Sequence, residues 1–376
     1  MTEDSGAEAR KVAIKCVLRV EESDSYANII VPKIIGETSL GTLDRNLVTE
    51  IAYGSTRMKK ALDWVFDRYL PEPPPPALRA SLRVGVYQIL FMRIPDHAAV
   101  NATVSASSKR NKGVVNAVLR KIVKESTIEW PDSATRLSYP NWIMDQLLND
   151  LGAEQSVLML EQMNQPPEVS VREDGYRQDR ASQWIVDLIG VQMEDRILDL
   201  CAAPGGKTTA LAPMSSYVVA ADVNPSRQKL ISENLATMGL RNVTQVIANG
   251  KLPPFAPRSF DKVLVDAPCS GLGVLHRRPD ARWRILESDV DNLARLQTEL
   301  LSSAIRLVKT GGELIYSVCT VTNTETVDVA LELDRLHPEL TPIKLQDSRW
   351  RPHGNGLQIL PQDAGTDGMA IFKWKV

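Results

Sequence analysis

Apolar residues recur at helical spacing from Ala7 to about Val123, in "RKVAIKCVLRV", "DRNLVTEIAYGSTRMKKALDWVFDRYL", "PALRASLRVGVYQILFM" and "RNKGVVNAVLRKIVK". Between the second and third of these the run "PEPPPP" at 71–76 must be an extended connector, because each proline lacks a donor and restricts its predecessor. Residues 138–165 predict two more helices, broken at Gly152. "QPPEVSVRED" is then extended and runs into "GYRQDRASQWIVDLIG", a helix from about Asp179. From Asp195 the rhythm changes. Strands are predicted at "RILDL" (196–200), "YVVAADV", "VTQVIA", "DKVLVDA" (261–267) and "GELIYSVCT", with helices between them, one around 286–308 and another from about Thr324. Continuous apolar strands separated by helices predict a parallel sheet buried on both faces. "LQILP" and "MAIFKWKV" predict late antiparallel edge strands. The expected fold is multi-domain: an all-helical part (1–130), a helical linker (131–175) and a doubly wound, mostly parallel α/β domain (176–376).

Composition excludes several classes. No run of eighteen or so apolar residues occurs, so no membrane span is expected, and the acidic start "MTEDSGAEARKVAIKC" has no signal-peptide layout. The four cysteines Cys16, Cys201, Cys269 and Cys319 read as free thiols of a cytoplasmic protein. No C-x-x-C occurs and the four histidines are scattered, so no metal is expected. Net charge is −2, but residues 1–124 hold 19 Lys and Arg against 13 Asp and Glu, while the rest hold 25 against 33. A basic front on an acidic chain hints at a polyanion partner; a solvated basic helical surface explains it as well.

Ligands of doubly wound sheets lie beyond the carboxyl ends of the strands. That rule gathers "DLCAAPGGKTT" (199–209), where Gly205 and Gly206 allow close backbone approach to a ligand, and Asp222, placed after the next strand as the acidic group that binds a ribose. The turn is neither G-x-G-x-x-G nor G-x-x-x-x-G-K-[ST], so a small adenosine cofactor fits better than a dinucleotide or a triphosphate. Cys269 and Cys319 both end strands at this edge. Cys319 also precedes an expected helix start, with Asn323 or Thr322 as its cap, which would favour a thiolate. Cys201, inside the turn, reads as a compact side chain beside the cofactor.

"DLCAAPGGKTT", "DAPCSGLG" with "RRPDARWR" behind it, and "YSVCT" together resemble the RNA 5-methylcytosine methyltransferases of the RsmB/Sun group. "LDRNLVTEIAYGSTRMKKALDW" and "HAAVNATVSASSK…VVNAVLRKI" resemble the NusB-like RNA-binding domain of the bacterial branch, and the resemblance covers nearly the whole chain. It implies transfer of a methyl group from S-adenosylmethionine to carbon 5 of a cytosine, with small-subunit ribosomal RNA as substrate and the chain acting as a monomer. Carbon 5 is too weak a nucleophile until a thiolate adds to carbon 6. The resemblance assigns that attack to Cys319 and release of the product to Cys269. Cys201, Ala202, Ala203, Pro204, Gly205, Gly206 and Lys207 would cradle the cofactor, Asp222 its ribose and Asn249 its adenine. Asp266 would face both cofactor and base, with Lys207 in the site. Arg277, Arg278, Arg282 and Arg284 would grip phosphates around a base turned out of its helix.

Two positions depart from the family pattern. Asn249 stands where an acidic residue is usual, and "VSVRED" runs directly into "GYRQD" where relatives carry a further sheet-containing RNA-binding segment. RNA selection would then rest more on the helical front. Two alternatives stay open: an RNA-binding assembly factor that keeps the fold with weak or no catalysis, and a methyltransferase acting on transfer RNA. The missing G-x-G-x-x-G argues against a nicotinamide oxidoreductase.

Overall fold

The computed structural model describes residues 3–23 and 26–376. It divides into two compact units, residues 1–148 with 275–284, and 149–274 with 285–376. The first expectation to be corrected is therefore that of contiguous domains, because a segment of the α/β half belongs to the helical unit. Among the described residues no helix is long and apolar enough to cross a membrane.

The helical unit contains α1 (Glu3–Glu22), α2 (Ala27–Gly36), α3 (Thr42–Arg57), α4 (Lys59–Asp67), α5 (Pro76–Phe91), α6 (Asp96–Ala106), α7 (Lys112–Val123) and the short α8 (Ser133–Leu137). The helical-period stripes form its core: Ala9, Val12, Val48, Ile51 and Val84 pack together in one cluster, and Leu62, Val65, Leu82, Val118 and Leu119 in another. Pro76 opens α5 at the first helical turn, where its missing N–H costs nothing. Arg83, 3% exposed, forks onto Asp63 at 2.7 Å and reaches Glu21 at 2.6 Å, so one guanidinium joins α1, α4 and α5.

Segment 275–284 completes this unit. Asp280 accepts from the Ala27 amide at 3.1 Å, satisfying the start of α2, whose own N-cap Tyr26 offers no side-chain bond. Arg284 donates to the Val20 and Ser23 carbonyls at 3.2 and 3.1 Å, closing the end of α1, and pairs with Asp280. Trp283 donates to the Thr56 carbonyl at 2.8 Å. Arg282 is wholly buried, donates to the Ser138 carbonyl and lies 3.8 Å from the centre of the Tyr139 ring. Burial pushes its guanidinium down to about 10.

The first unit's main segment ends within α9 (Asn141–Leu151), and the second continues through a break at Gly152, whose φ of +77° requires glycine, into α10 (Ala153–Gln162). The α/β part runs α11 (Arg180–Ile189), β1 (Arg196–Asp199), α12 (Gly206–Leu211), β2 (Tyr217–Asp222), α13 (Pro225–Met238), β3 (Val243–Ile247), β4 (Phe260–Asp266), α14 (Glu287–Ile305), β5 (Val308–Val318) and α15 (Val327–Leu336). It ends with β6 (Thr341–Pro342), β7 (Arg351–His353), β8 (Gly356–Ile359), α16 (Pro361–Ala364) and β9 (Met369–Lys375). Side chains set the helix starts: Asp179 accepts from the Ala181 amide, and Asn224 from Ser226 and Arg227.

The sheet order is β3-β2-β1-β4-β5-β9-β8-β7, with β6 beside β9. The first five strands are parallel, and β9, β8 and β7 add antiparallel. Successive strand residues face opposite sides. Leu198, Val263, Val265, Leu314 and Tyr316 pack with α14 and α15, whereas Ile197, Leu264 and Ile315 pack with α11. The chain order reverses between β1 and β4, which opens the crevice at their carboxyl ends.

Backbone crowding pins that edge. A Cβ on Gly273 would lie 2.1 Å from the Gly368 carbonyl oxygen and 3.0 Å from that of Cys319, and Gly273 itself exchanges hydrogen bonds with both segments. Gly273→Ala should cost about 1–3 kcal/mol by overpacking, read as a lower denaturation midpoint together with lost methyl transfer. Arg282→Ala should lower the thermal midpoint by about 2–4 °C per kcal/mol lost, while Arg278→Ala, at an exposed position, should leave it unchanged.

Candidate active site

β4 and β5 run side by side with Asp266 opposite Ser317. Three residues beyond Asp266 is Cys269, and two beyond Ser317 is Cys319, so both thiols emerge at the same level of the crevice. Their sulfurs stand 3.3 Å apart and both residues are half-buried. The Ser317 hydroxyl donates to Asp266 Oδ1 at 2.6 Å, and Lys207 Nζ meets Asp266 Oδ2 at 2.7 Å. Cys269, Cys319, Asp266 and Lys207, drawn from three separate stretches of the sequence, thus form one cluster.

The charges in it have identifiable causes. Burial alone would lower Lys207, which is 7% exposed, but the Asp266 carboxylate more than offsets this and keeps the ammonium above its usual range, with the charges of Cys319 and Asp199 adding to it. Cys269 is held well above an ordinary thiol by its hydrogen bond to Cys319, then by burial, then by the Cys319 and Glu325 charges. Cys201 is also pushed up, by burial and by the surrounding carboxylates Asp199, Asp266 and Asp222. It is no thiolate.

The expected helix start after Cys319 is corrected: α15 begins at Val327 with Thr326 at its N-cap, so neither Thr322 nor Asn323 caps it and no helix dipole acts at Cys319. The nearby cation is Lys207.

The turn 201–207 carries the remaining predicted contacts. Gly205, at φ +102°, holds a conformation that side chains rarely adopt, and the Ala203–Pro204 peptide is cis. Asp222 Oδ2 accepts from the Ala203 amide at 3.1 Å and Oδ1 from the Asn224 amide at 2.9 Å, which ties β2 to the turn. Ala202 and Ala203 are buried between the turn and the Ile231 side of α13. Asn249 is exposed just beyond the end of β3, and its Oδ1 accepts from the Lys251 amide at 3.0 Å.

Three contributors escaped the reading of the sequence. Asp199, 1% exposed, uses Oδ2 for the Thr208 hydroxyl at 2.6 Å, while Oδ1 is buried with no partner. Burial first, then the charges of Asp266 and Asp222 against the help of Thr208 and Lys207, raises its carboxyl to about 7. An orphaned acceptor beside a glycine turn fits a cofactor with a cationic amino group. Arg172 donates to the Gly206 carbonyl at 2.8 Å and the Thr209 hydroxyl at 3.1 Å and lies over the Tyr176 ring. Asn234 joins the Tyr176 hydroxyl to the Pro204 carbonyl. These residues buttress the turn from a tight hairpin, Val171 opposite Arg177, at the place where the extra segment of relatives was expected. Glu325, deep behind both thiols, is the third. Its only signal in the sequence was an acidic residue within a run of threonines.

Of the arginines expected to hold phosphates, Arg282 is inside the helical unit and Arg284 is committed to α1, for the reasons given above; that expectation is corrected for both. Arg277 is half-buried and Arg278 exposed. Among the described residues no cluster of side chains is arranged to hold a metal ion.

Comparison with known proteins agrees with this arrangement. Residues 186–375 match the family described as 16S rRNA methyltransferase RsmB/F, and residues 7–124 match the NusB family. A Mycobacterium tuberculosis chain named as a methyltransferase is 32% identical over 96% of this chain and 95% of its own length. The ribosomal RNA small subunit methyltransferase B of Yersinia pseudotuberculosis is 28% identical, over 97% of each chain. These alignments run over 437 and 427 positions against the 376 residues here, so the relatives hold segments that this chain lacks. The crystal structure of PH0851 shares the fold, with a TM-score of 0.81 at 22% identity over 98% of this chain and 99% of that one. The chain belongs to the RsmB/F family of 16S rRNA methyltransferases, behind a NusB-family domain, and its methyl donor is S-adenosylmethionine.

Proposed function

We propose that this RNA methyltransferase modifies carbon 5 of a cytosine in small-subunit ribosomal RNA, through a covalent bond between Cys319 and carbon 6 that is resolved with the help of Cys269. The observation that carries the reading is the pair of sulfurs 3.3 Å apart beside the Lys207–Asp266 ion pair. Two thiols at one crevice answer a chemical need that one thiol cannot meet, since one must stay bonded while the other works.

Cys319 Sγ, as thiolate, adds to carbon 6 and drives the ring's double-bond electrons toward carbon 5. Bound S-adenosylmethionine supplies an electrophilic methyl group on its sulfonium. The turn 201–207 and Asp222 would hold the cofactor's sugar side, Asp199 would take its ammonium, and Asn249 would meet its adenine. Asp266, paired with Lys207 and oriented by Ser317, accepts from the amino edge of the cytosine. Once the Cys319 sulfur is tied up in the carbon–sulfur bond, it no longer carries charge or shares a proton with Cys269. The main cause that raises Cys269 is then gone. Cys269 can give up its proton to the surroundings and take the one on carbon 5; the electrons return to the ring and Cys319 leaves as thiolate.

The helical unit supports an RNA partner through its basic, exposed side chains Lys109, Arg110, Lys112, Arg120, Lys121 and Lys124 in and flanking α7. Arg277 and Arg278 are the phosphate contacts proposed from the segment 275–284.

With labelled cofactor and ribosomal RNA lacking the modification, Cys319→Ala should give neither 5-methylcytosine nor a covalent complex. Cys269→Ala should lower turnover by about 10²–10⁴-fold and accumulate a protein–RNA adduct that survives denaturing electrophoresis. An adduct with Cys319→Ala would sink the assignment of roles; methylation confined to transfer RNA would sink the substrate. The Asp199 carboxyl, raised to about 7, binds its proton more tightly in the folded chain than in the unfolded one. The stability it adds is complete below the ordinary carboxylate range near pH 4 and is lost as pH rises through 7. Cofactor binding should run the other way, tightening between pH 6 and 8 as the carboxylate forms. Isothermal titration across that range checks this, and Asp199→Asn should weaken binding and flatten the profile.

A further inference from the structure

Glu325 is a wholly buried carboxylate that the proposed chemistry does not use. Its Oε1 accepts from the Ser270 amide at 2.8 Å and from Gln297 Nε2 at 3.1 Å; its Oε2 accepts from the Thr320 and Thr322 hydroxyls at 3.2 and 3.3 Å. Ser270 follows Cys269 and Thr320 follows Cys319, and their own hydroxyls meet at 2.9 Å. Gln297 also donates to the Pro268 carbonyl at 2.9 Å, so both neighbours of Cys269 hang from this centre. Tyr316 closes it from the sheet, its hydroxyl lying 2.6 Å from the Glu325 carbonyl and 2.9 Å from Gln297 Oε1.

A core position that only needed filling would take leucine. A carboxylate there costs desolvation, and burial does raise Glu325 above its usual range even with these donors working against it. The arrangement therefore asks what the charge does. The titratable groups that interact with the two sulfurs are Lys207, Tyr316 and Glu325. Among them the Lys207 ammonium interacts with Cys319, and the Glu325 carboxylate with Cys269.

We propose that Glu325 is a positioning residue for both thiols: it ties the two cysteine loops to one acceptor, and its charge, against that of Lys207, leaves the proton on Cys269 and the negative charge on Cys319. This rests on the reading of Cys319 as the nucleophile. It adds the reason two chemically identical groups, in contact, take different roles.

The test uses the free full-length chain and needs no RNA. The two cysteines are alkylated with iodoacetamide from pH 6 to 9, and each site is quantified by mass spectrometry. In the unaltered chain Cys319 should be modified at lower pH than Cys269. In Glu325→Gln, isosteric but neutral, Cys269 modification at pH 8 should rise by about 3–10-fold, equal to about 0.5–1 unit of pKa. An unchanged preference in a folded Glu325→Gln chain overturns the proposal and leaves Glu325 as packing alone. If that variant does not fold, Thr322→Val, which removes one donor to the carboxylate, should shift the preference the same way by a smaller factor; no shift there overturns it equally. Cys269 reacting first in the unaltered chain would instead overturn the assignment of the nucleophile, whatever the variants do.

Discussion

Register between two parallel neighbours decides which of their residues reach a crevice together. Here Asp266 of β4 lies opposite Ser317 of β5. Side-chain direction alternates along each strand, so a slip of one residue would turn Asp266 and Ser317 to opposite faces and separate the thiols that follow. The register is held by the buried runs "VLV" in β4 and "LIYSV" in β5 and, beyond the strands, by the Gly273 backbone wedged between Cys319 and Gly368. All the chemistry proposed for this chain depends on that alignment.

Charge is then distributed around the aligned thiols by burial. The Asp266 carboxylate compensates the buried Lys207 ammonium, which is the condition for keeping that charge out of water. Asp199 is buried with one oxygen unpartnered, and the help of the Thr208 hydroxyl and the Lys207 charge does not offset that burial, so its carboxyl rises to about 7. Cys201, set among carboxylates, is disarmed by the same field that leaves Cys319 beside a cation. Three cysteines at one sheet edge thus acquire three characters from their surroundings.

The hairpin near residue 172 shows how a short stretch can support the cofactor turn. It brings Arg172 and Tyr176 against the cofactor turn, with bonds to Gly206, Thr209 and, through Asn234, Pro204. In the other direction, segment 275–284 supplies the helical unit with the groups that satisfy the end of α1 and the start of α2. Arginine content there reflects buried carbonyls to be satisfied.

The order of strands and helices, the helical front and the edge where Cys201, Cys269, Cys319, Asp222 and Asp266 gather were legible in the sequence, because apolar period and loop position are local properties read along the chain. Motifs at those positions carried the family. What the sequence could not show is which partner each polar group finds. Arg282 looks the same in a string of letters whether it meets Tyr139 inside a helical unit or a phosphate outside it, and Glu325 looks like any surface glutamate. The helix start after Cys319 was misplaced because Thr322 and Asn323 resemble a cap, while the Thr320 and Thr322 hydroxyls turn instead to Glu325. Hydrogen-bond partners and desolvation depend on residues dozens or hundreds of positions away, so the identity of the site came from local pattern and its electrostatics only from tertiary structure.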